Sequence, residues 1–432
     1  MAEPRIGRRT FTRRRDWVAA AVIVVLVVGF AVVCWSGSDF RAASLQRADG
    51  TPAVPSPPAE FPPSLAETWR AESAATSRPV VTGPTVVTGN GGEVVGRDPI
   101  TGDVRWRYTR PEPLCTVATY TRDTPNRGEI PGTVIAAYRT DGRLLPSSDP
   151  NSAGGCSEIT GLEGATGERK YSRDSDAEIG TELLTDGSYM TTTGQRLLTT
   201  WRSDLVYSSY YGTKPAPQNY RAGLRHGCTY GSVAVDTGKI GVIERCPGET
   251  DDRITLYRAQ VPDGKDPDEV DEVFSVHVGP GARVVAVTER LVAVAVPGPA
   301  RLVVFGEDGQ QLGQYPLPVP DEELRTDPPG RAERSYLGND AVYWFTGGRT
   351  VALGTQDLRP LWSVDGTLGA GTVFAGRLLL PRPGELAVFD PASGATLARV
   401  PVDRGDYTGP VALSALGPIV LEQRGPTLVA LR

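Results

Sequence analysis

Short runs of β-branched residues alternate with turn residues along most of the chain, and residues 80–108 show this pattern most clearly. Three runs there, VVTG, TVVTG and EVVGRD, have the length of strands and are separated by Gly-Pro and Asn-Gly-Gly. Val and Thr favour strands, whereas Gly, Pro and Asn favour turns. A fourth run, DVRWRYT, follows the turn sequence DPITG at residues 98–102. The pattern predicts four strands joined by tight turns.

The same unit recurs along the chain. The turn at residues 98–102 returns as DPASG at 390–394 and, in weaker form, as EGATG at 163–167. Trp106 and Tyr171 lie four residues after the glycines of two of these turns, and Trp362 lies in the equivalent run RPLWSV. We expect these rings to lie between neighbouring units. A repeat of this length with four strands per unit predicts an all-β propeller of about eight blades, with seven as the alternative count. The predicted units begin near Val80, Leu114, Thr181, Gly227, Ala282, Ser335, Ala370 and Pro410.

The last unit is one strand short, because the run PTLVALR matches a third strand and no fourth follows it. Residues 66–72, AETWRAE, precede the first unit and read as an isolated fourth strand, with Trp69 in the place of Trp106. We expect this segment to complete the last blade and close the ring, which would leave no unpaired strand edge. The predicted propeller domain is 65–432.

The N-terminal region has a different pattern. Residues 18–34 are apolar and uncharged and lie between Trp17 and Trp35, and six arginines precede them. A helix of this length spans a hydrocarbon core, and the arginines would keep the N-terminus in the cytoplasm. The sequence predicts a cytoplasmic segment at 1–17, a single transmembrane helix at 18–35 in the cell membrane, a Pro-rich extracytoplasmic linker at 36–64, and an extracytoplasmic propeller. A cleaved signal peptide, a lipid anchor at Cys34 and a twin-arginine export signal are alternatives.

The repeats resemble those of the quinoprotein-like (PQQ-type) β-propeller superfamily, which end on an Asp, a small residue, Thr and Gly, followed by a Trp. The resemblance covers roughly residues 65–432; it is clear at 98–106 and 390–394 and fades in the middle units. It implies an architecture that enzymes, scaffolds and sensors share, so it assigns no activity. Its quinone-dependent dehydrogenases hold the quinone beneath a disulfide of adjacent cysteines and beside Ca²⁺. No two cysteines are adjacent here, which favours the non-enzymatic branch and no cofactor.

Four cysteines follow the predicted membrane helix, and an even number in an extracytoplasmic domain predicts two disulfides. Cys228 and Cys246 flank a hairpin whose turn is Asp-Thr-Gly, so we expect them to pair. Cys115 and Cys156 then pair by default, both from loops on one face. Free buried thiols are the alternative, and a metal site is less favoured because the spacings are long and His is scarce.

Composition and charge limit the functions that can be considered. The net charge of −6 gives no sign of nucleic-acid binding, which requires a clustered basic surface. The chain has only two His and lacks the short motifs of hydrolases, zinc proteases and phosphate-binding loops. The acidic run at 263–269 departs from a Ca²⁺ loop and is better read as solvated. No catalytic or metal site is therefore expected.

Two non-enzymatic functions remain, and a quinone-dependent dehydrogenase is the least favoured third. The first is a protein-interaction scaffold in cell-envelope assembly or secretion, with envelope proteins as partners. The second is a sensor or binding domain for a glycan or small ligand, for which a predicted loop offers Tyr207, Tyr210, Tyr211 and Tyr220. Ordinary packing of a long connection is the alternative for that loop. The preference for Arg over Lys and the many Ala, Val, Gly and Pro residues are typical of a bacterium with a GC-rich genome.

Overall fold

The computed structural model describes residues 14–36, 42–120, 132–140, 155–213, 225, 227–265, 269–325 and 330–432. Its strands form eight sheets arranged as the blades of one ring. From the innermost strand outward, the blades are: blade 1, β3 (Val80–Thr82), β4 (Thr85–Asn90), β5 (Glu93–Arg97) and β6 (Val104–Thr109); blade 2, β7 (Leu114–Thr119), β8 (Thr133–Thr140), β9 (Gly155–Glu163) and β10 (Arg169–Ala177); blade 3, β11 (Leu183–Thr185), β12 (Tyr189–Thr192), β13 (Leu197–Arg202) and β14 (Tyr207–Gly212); blade 4, β15 (Thr229–Asp236), β16 (Lys239–Arg245), β17 (Arg253–Arg258) and β18 (Glu272–His277); blade 5, β19 (Arg283–Val287), β20 (Val292–Val296), β21 (Arg301–Phe305) and β22 (Gln311–Pro316); blade 6, β24 (Ser335–Leu337), β25 (Ala341–Phe345), β26 (Arg349–Gly354) and β27 (Pro360–Asp365); blade 7, β28 (Thr372–Phe374), β29 (Arg377–Arg382), β30 (Glu385–Phe389) and β31 (Thr396–Pro401); blade 8, β32 (Val411–Leu416), β33 (Ile419–Arg424), β34 (Thr427–Leu431) and β2 (Glu67–Glu72).

The predicted all-β propeller is confirmed with eight blades, and the alternative count of seven is wrong. Each blade starts within about two residues of its predicted start. The remaining elements in the described part of the chain are the helices α1 (Arg14–Ser36) and α2 (Asp321–Leu324) and the short strands β1 (Ser44–Gln46) and β23 (Arg331–Ala332).

The hydrophobic core lies between the blades. Middle strands such as β20 (VAVAV) and β25 (AVYWF) are buried along their whole length, because blades cover both of their faces. Outer strands are buried only in part, and β10 exposes most of its residues. Continuous apolar runs therefore mark the inner strands and mixed runs mark the outer strands, as the physics of burial requires.

The two ends of the ring differ in their connections. Strands within a blade are antiparallel, so the first and third turns of each blade lie at one end, which we call the turn end. The turn of residues 98–102 lies there: Asp98 Oδ1 accepts hydrogen bonds from the Ile100 and Thr101 amides at 2.8 and 3.0 Å, and Gly102 has a φ of +77°. The second turns and the blade-to-blade connections lie at the opposite end. We call it the disulfide end, because both disulfides lie there.

A β-bulge interrupts each of the eight outer strands shortly after the turn. In four blades the residue after the bulge carries a large ring that lies on the turn glycine of the next blade. The four ring and glycine pairs are Trp69 with Gly102, Trp106 with Gly167, Phe274 with Gly309 and Trp362 with Gly394.

Two of these indoles also donate hydrogen bonds across the blade boundary. Trp69 Nε1 donates to the Pro99 carbonyl at 3.0 Å, and Trp106 Nε1 donates to the Gly164 carbonyl at 2.9 Å. The predicted place of Tyr171 between blades is wrong, because its side chain is 39% exposed. Blade 3 presents Leu205 at positive φ where the turns of blades 1, 2, 5 and 7 present glycine, and Arg173 donates to the Leu205 carbonyl instead.

The ring closes as predicted, with β2 pairing antiparallel to β34 as the fourth strand of blade 8. The register joins Trp69 to Ala430 and Arg70 to Val429. Trp69 is 9% exposed. The last blade therefore combines strands from the beginning and the end of the propeller.

The segment predicted as a free linker packs on the propeller from residue 43 onward. Strand β1 pairs antiparallel with β6 on the outer edge of blade 1, starting at the disulfide end. The chain then crosses the turn end, where the Ala48 amide donates to the Thr166 carbonyl at 3.0 Å. Phe61 packs edge-on against Phe374 of blade 7, and Leu65 is buried next to blade 8. We call residues 43–66 the strap.

The connection from blade 5 to blade 6 enters the central channel. It contains α2 and then β23, which pairs in parallel with β15, the innermost strand of blade 4. Glu333 follows β23, and its carboxylate accepts hydrogen bonds from Arg283 Nη2 at 3.0 Å and Trp344 Nε1 at 2.7 Å. Burial raises the pKa of Glu333, although the Arg283 guanidinium acts in the opposite direction. The channel is therefore crossed by the chain itself.

Candidate functional site

Three of the four tyrosines predicted as a ligand loop, Tyr207, Tyr210 and Tyr211, lie in strand β14, so their assignment to a loop is wrong. Tyr211 is fully buried between blades 3 and 4 and stacks on Tyr257 with ring centroids 4.5 Å apart. Tyr207 and Tyr210 lie on the other face of the strand and are half-buried. Tyr220 lies outside the described residues. The structure therefore separates Tyr211 from the two tyrosines that a ligand could reach.

Tyr211 belongs to a buried polar network centred on Glu244. The Tyr211 hydroxyl donates to the Glu244 carboxylate at 3.0 Å, and the Thr255 hydroxyl donates to it at 2.6 Å. Arg225 Nε lies 3.2 Å from Glu244 Oε1. Burial raises the pKa of Glu244, and burial together with the nearby carboxylate raises the pKa of Tyr211. A carboxylate enclosed in this way stabilises the contact between blades and is closed to solvent.

Cys228, Cys246 and Glu244 place ligand-type atoms within 4.8 Å of one another, as a metal site would. The two sulfurs are joined in a disulfide, so neither is a thiolate that could bind a metal. The carboxylate already accepts hydrogen bonds from Tyr211 and Thr255. This cluster therefore does not act as a metal centre in the oxidised protein.

Both predicted disulfides are present, Cys228–Cys246 and Cys115–Cys156. The first joins the two sides of the β15–β16 hairpin, as expected. The placement of the second pair in loops is wrong, because Cys115 lies in β7 and Cys156 in β9. This bond therefore joins the first and third strands of blade 2 across β8.

Tyr207 and Tyr210 lie beside a groove between the outer parts of blades 1 and 2, which we call the rim groove. Their rings are 4.7 Å apart, and the Arg173 guanidinium lies 4.2 Å from the centre of the Tyr207 ring. The groove encloses a volume of about 750 Å³. Its lining includes Ala43, Tyr108, Arg110, Glu158, Arg173 and Tyr207. Burial raises the pKa of both Tyr207 and Tyr210, so both are neutral phenols. The Tyr207 hydroxyl donates to the Asp174 carbonyl at 2.8 Å, which fixes its ring beside the groove.

The central channel was the other candidate for a ligand site, since the resemblance to the superfamily that includes quinone-dependent dehydrogenases implies a quinone there. Its cavity has a volume of about 170 Å³. Among the described lining residues, Arg78 is the one cation, Asp236 and Glu333 are acids, and none is an amide. A tricarboxylated quinone with Ca²⁺ needs several cations together with acidic and amide ligands. The residues present do not fit that cofactor.

Sequence reasoning missed the strap, the Glu244 network and the crossing segment. Glu244 is a single acidic residue in the apolar run KIGVIER, which was a usable signal, since a charge inside a buried strand needs a partner. The partner Arg225 follows a long connection, and no pattern links the two in sequence. The strap contains many prolines, and proline content alone does not distinguish a docked segment from a free one.

Comparison with known proteins gives one family match and a similar solved structure. The profile of the family described as outer membrane protein assembly factor BamB matches residues 17–204. No curated protein matches the sequence. The crystal structure of the Saccharomyces cerevisiae Sqt1 aligns over 88% of this chain and 98% of its own, with 12% identity and a TM-score of 0.48.

The family match covers the first two blades and three strands of the third, and the same four-stranded unit continues around the remaining five. This match, together with the eight-bladed ring, supports a PQQ-type β-propeller repeat family for the chain.

Proposed function

We propose that the chain is a membrane-anchored scaffold that binds proteins of the bacterial cell envelope during their assembly or secretion. The observation that carries the proposal is the match of residues 17–204 to the family described as an outer membrane protein assembly factor. An eight-bladed ring with broad ends and a channel crossed by its own chain suits protein binding better than catalysis. That the chain is not an enzyme stays a prediction.

The anchor in this proposal is α1, which is long and apolar enough to cross a membrane. A signal sequence near the N-terminus would have the same length and composition. The arginines before the helix support an orientation with the N-terminus in the cytoplasm and the propeller outside. A reporter that is active only in the cytoplasm, fused after Arg432, should be silent, whereas an active reporter would contradict this orientation.

The scaffold function is tested in cells that lack the chain. The amount of correctly folded envelope proteins should fall, and expression of the full chain should restore it. A version that begins at residue 42 behind a cleavable export signal provides the matched control, since it keeps the strap and propeller and lacks the anchor. Unchanged amounts of folded envelope proteins in cells without the chain would contradict the proposal.

Binding of a glycan or small ligand is a second candidate, and the rim groove favours it. Neighbouring, half-buried tyrosines beside an arginine are a common surface for sugars and planar ligands. In a titration with envelope glycans, Tyr207→Ala should weaken binding, and Tyr171→Ala, which removes an exposed tyrosine on the neighbouring β10, should not. Equal affinity in both variants would exclude the groove as the site.

A further inference from the structure

The strap determines how far the propeller can lie from the membrane. A free chain from Ser36 to Leu65 could extend to roughly 100 Å at about 3.5 Å per residue. The structure fixes residues 43–66 on the ring, through the pairing of β1 with β6 and the contacts of Ala48, Phe61 and Leu65. The free length is therefore the short connection between Ser36 and Ala43, which reaches at most about 25 Å.

Ala43 has a defined place on the ring. It packs with the core of blades 1 and 2 and lines the rim groove together with Arg110 and Arg173. Its neighbour Ser44 pairs with Thr109, at the disulfide end of the outer edge of blade 1. With α1 in the bilayer, this part of the rim lies within about 25 Å of the point where the helix leaves the membrane.

We propose that the rim groove of blades 1 and 2 faces the lipid headgroups and that blades 5 and 6 face away from the membrane. This inference rests on the membrane anchor of the proposed function. The occupant of the groove mouth is the headgroup layer of the bilayer that holds α1. Envelope partners then meet the ring from the side of blades 4 to 7.

Chain length, and not net charge, holds the groove at the bilayer. Among the residues that the structure describes, three cations and three acids line the groove: Arg110, Arg169, Arg173, Glu158, Asp174 and Asp176. Arg110 forms ion pairs with Glu112 and Glu158. A balanced surface of this kind gains little from anionic lipid. The proximity is therefore independent of the lipid charge.

The test compares two equivalent positions on opposite sides of the ring. Ser172 in β10 and Gln314 in β22 follow the bulge at the same register and are both exposed. In full-length chains that carry Cys34→Ala, a donor dye is placed at Ser172→Cys or Gln314→Cys, and the protein is inserted into vesicles with acceptor-labelled headgroups. Energy transfer should be several-fold higher from position 172 than from position 314, in zwitterionic and in anionic vesicles alike.

A matched variant carries a thirty-residue Gly/Ser insertion after Ser36, which leaves the strap and the propeller unchanged. In this variant the difference between the two positions should disappear. Equal transfer from both positions in protein that floats with the vesicles would overturn the inference and leave the scaffold proposal intact. Protein that does not float would overturn the anchor, and the inference with it. Transfer that rises only in anionic vesicles would show headgroup binding by charge and would overturn the argument from chain length.

Discussion

Gly102 shows how one residue without a side chain fixes the contact between two blades. Its φ is +77°, and a Cβ atom there would lie 2.6 Å from Cγ of Trp69. Gly180 has a similar φ of +84°, and no atom lies within 4 Å of its Cβ position. Alanine substitutions at the two positions therefore distinguish two costs. Both incur the cost of the backbone conformation, and only the substitution at Gly102 also incurs the cost of the close approach to Trp69.

We predict that Gly102→Ala lowers the free energy of unfolding more than Gly180→Ala does. Both variants place a side chain at positive φ, which costs about 1 kcal/mol. Gly102→Ala adds overpacking against Trp69, which costs about 1–3 kcal/mol more. Chemical denaturation of both variants measures the difference. Equal losses would show that the ring of Trp69 moves aside without cost.

The raised pKa of Glu244 leads to a prediction about how the stability of the protein depends on pH. Burial raises its pKa above the ordinary 4.5, so the folded state binds a proton more readily than the unfolded state. The contribution of this carboxyl to stability is greatest below pH 4.5 and is lost as the pH rises through the raised pKa of the folded state. Glu244→Gln should remove this component, so the stability difference between wild type and variant should change between pH 4.5 and neutral pH. A difference that is constant with pH would contradict the raised pKa.

At this scale the sequence predicted the tryptophans that lie between blades, and it failed for Phe274 and Tyr171. Trp69, Trp106 and Trp362 were found because each tryptophan occupies the same position within the residue pattern of an outer strand. Phe274 was missed because its ring is smaller and the turn that it covers, at Gly309, has a different sequence. Tyr171 was misplaced because the deciding residue, Leu205, belongs to the next blade.

Among the elements, β2 has the largest effect on the fold, because it closes the ring. We predict that a chain starting at residue 42 forms the same closed propeller as the full-length chain and that a chain starting at residue 73 does not. The second chain loses the partner of β34 and the burial of Trp69, and the loss of a buried Trp alone costs about 3–5 kcal/mol. Its open strand edge also favours aggregation.

Melting temperature and monomer yield measure this outcome. A chain starting at residue 64 is the matched control, since it lacks most of the strap and keeps β2. It should lose only the contacts of β1 and Phe61 and remain a soluble monomer. Equal melting of the chains starting at 64 and 73 would contradict closure by β2.

The disulfides give a second prediction at the scale of elements. Cys115–Cys156 closes a separation of 41 residues and Cys228–Cys246 one of 18. From loop entropy, their loss costs about 4 and about 3 kcal/mol. Non-reducing peptide mapping should recover both linked pairs, and the Cys115→Ser and Cys228→Ser variants should each unfold at lower denaturant concentration. Recovery of Cys115 linked to Cys228 would contradict the blade assignment.

Most strands could be predicted from the sequence, since each blade repeats a local pattern of apolar runs and turns. Strands β1 and β23 could not, because they are very short and pair with strands distant in sequence. Their formation depends on an edge that exists only after the blades have formed. Local propensity carries no information about such an edge.

For the whole molecule, the size of the central channel and the residues that line it decide whether the protein can bind a quinone. The cavity of about 170 Å³ and its single lining cation among the described residues lead to a further prediction. Protein mixed with the quinone and Ca²⁺ should emerge from gel filtration without the chromophore. A stoichiometric chromophore would contradict the channel geometry and would revive the dehydrogenase alternative.

The overall architecture followed from the sequence because eight similar units of this length have few ways to pack. The place of the membrane relative to the ring did not follow, since it depends on whether a Pro-rich segment is docked or free. Residues 43–66 contain few large apolar side chains, and the two that matter, Phe61 and Leu65, bind surfaces made by blades 7 and 8. Only the folded ring provides those surfaces.

The composite last blade also has a consequence for timing in the cell. The hydroxyl of Thr68 donates to the Ala430 carbonyl, a partner 362 residues later in the chain. At a synthesis rate of about 5–20 residues per second, β2 waits on the order of 20–70 s for its partner strand. During that time Trp69 and an unpaired strand edge are exposed. In the proposed orientation the ring closes outside the cytoplasm, so brief loss of the chaperones there should harm newly made chains while leaving closed rings intact.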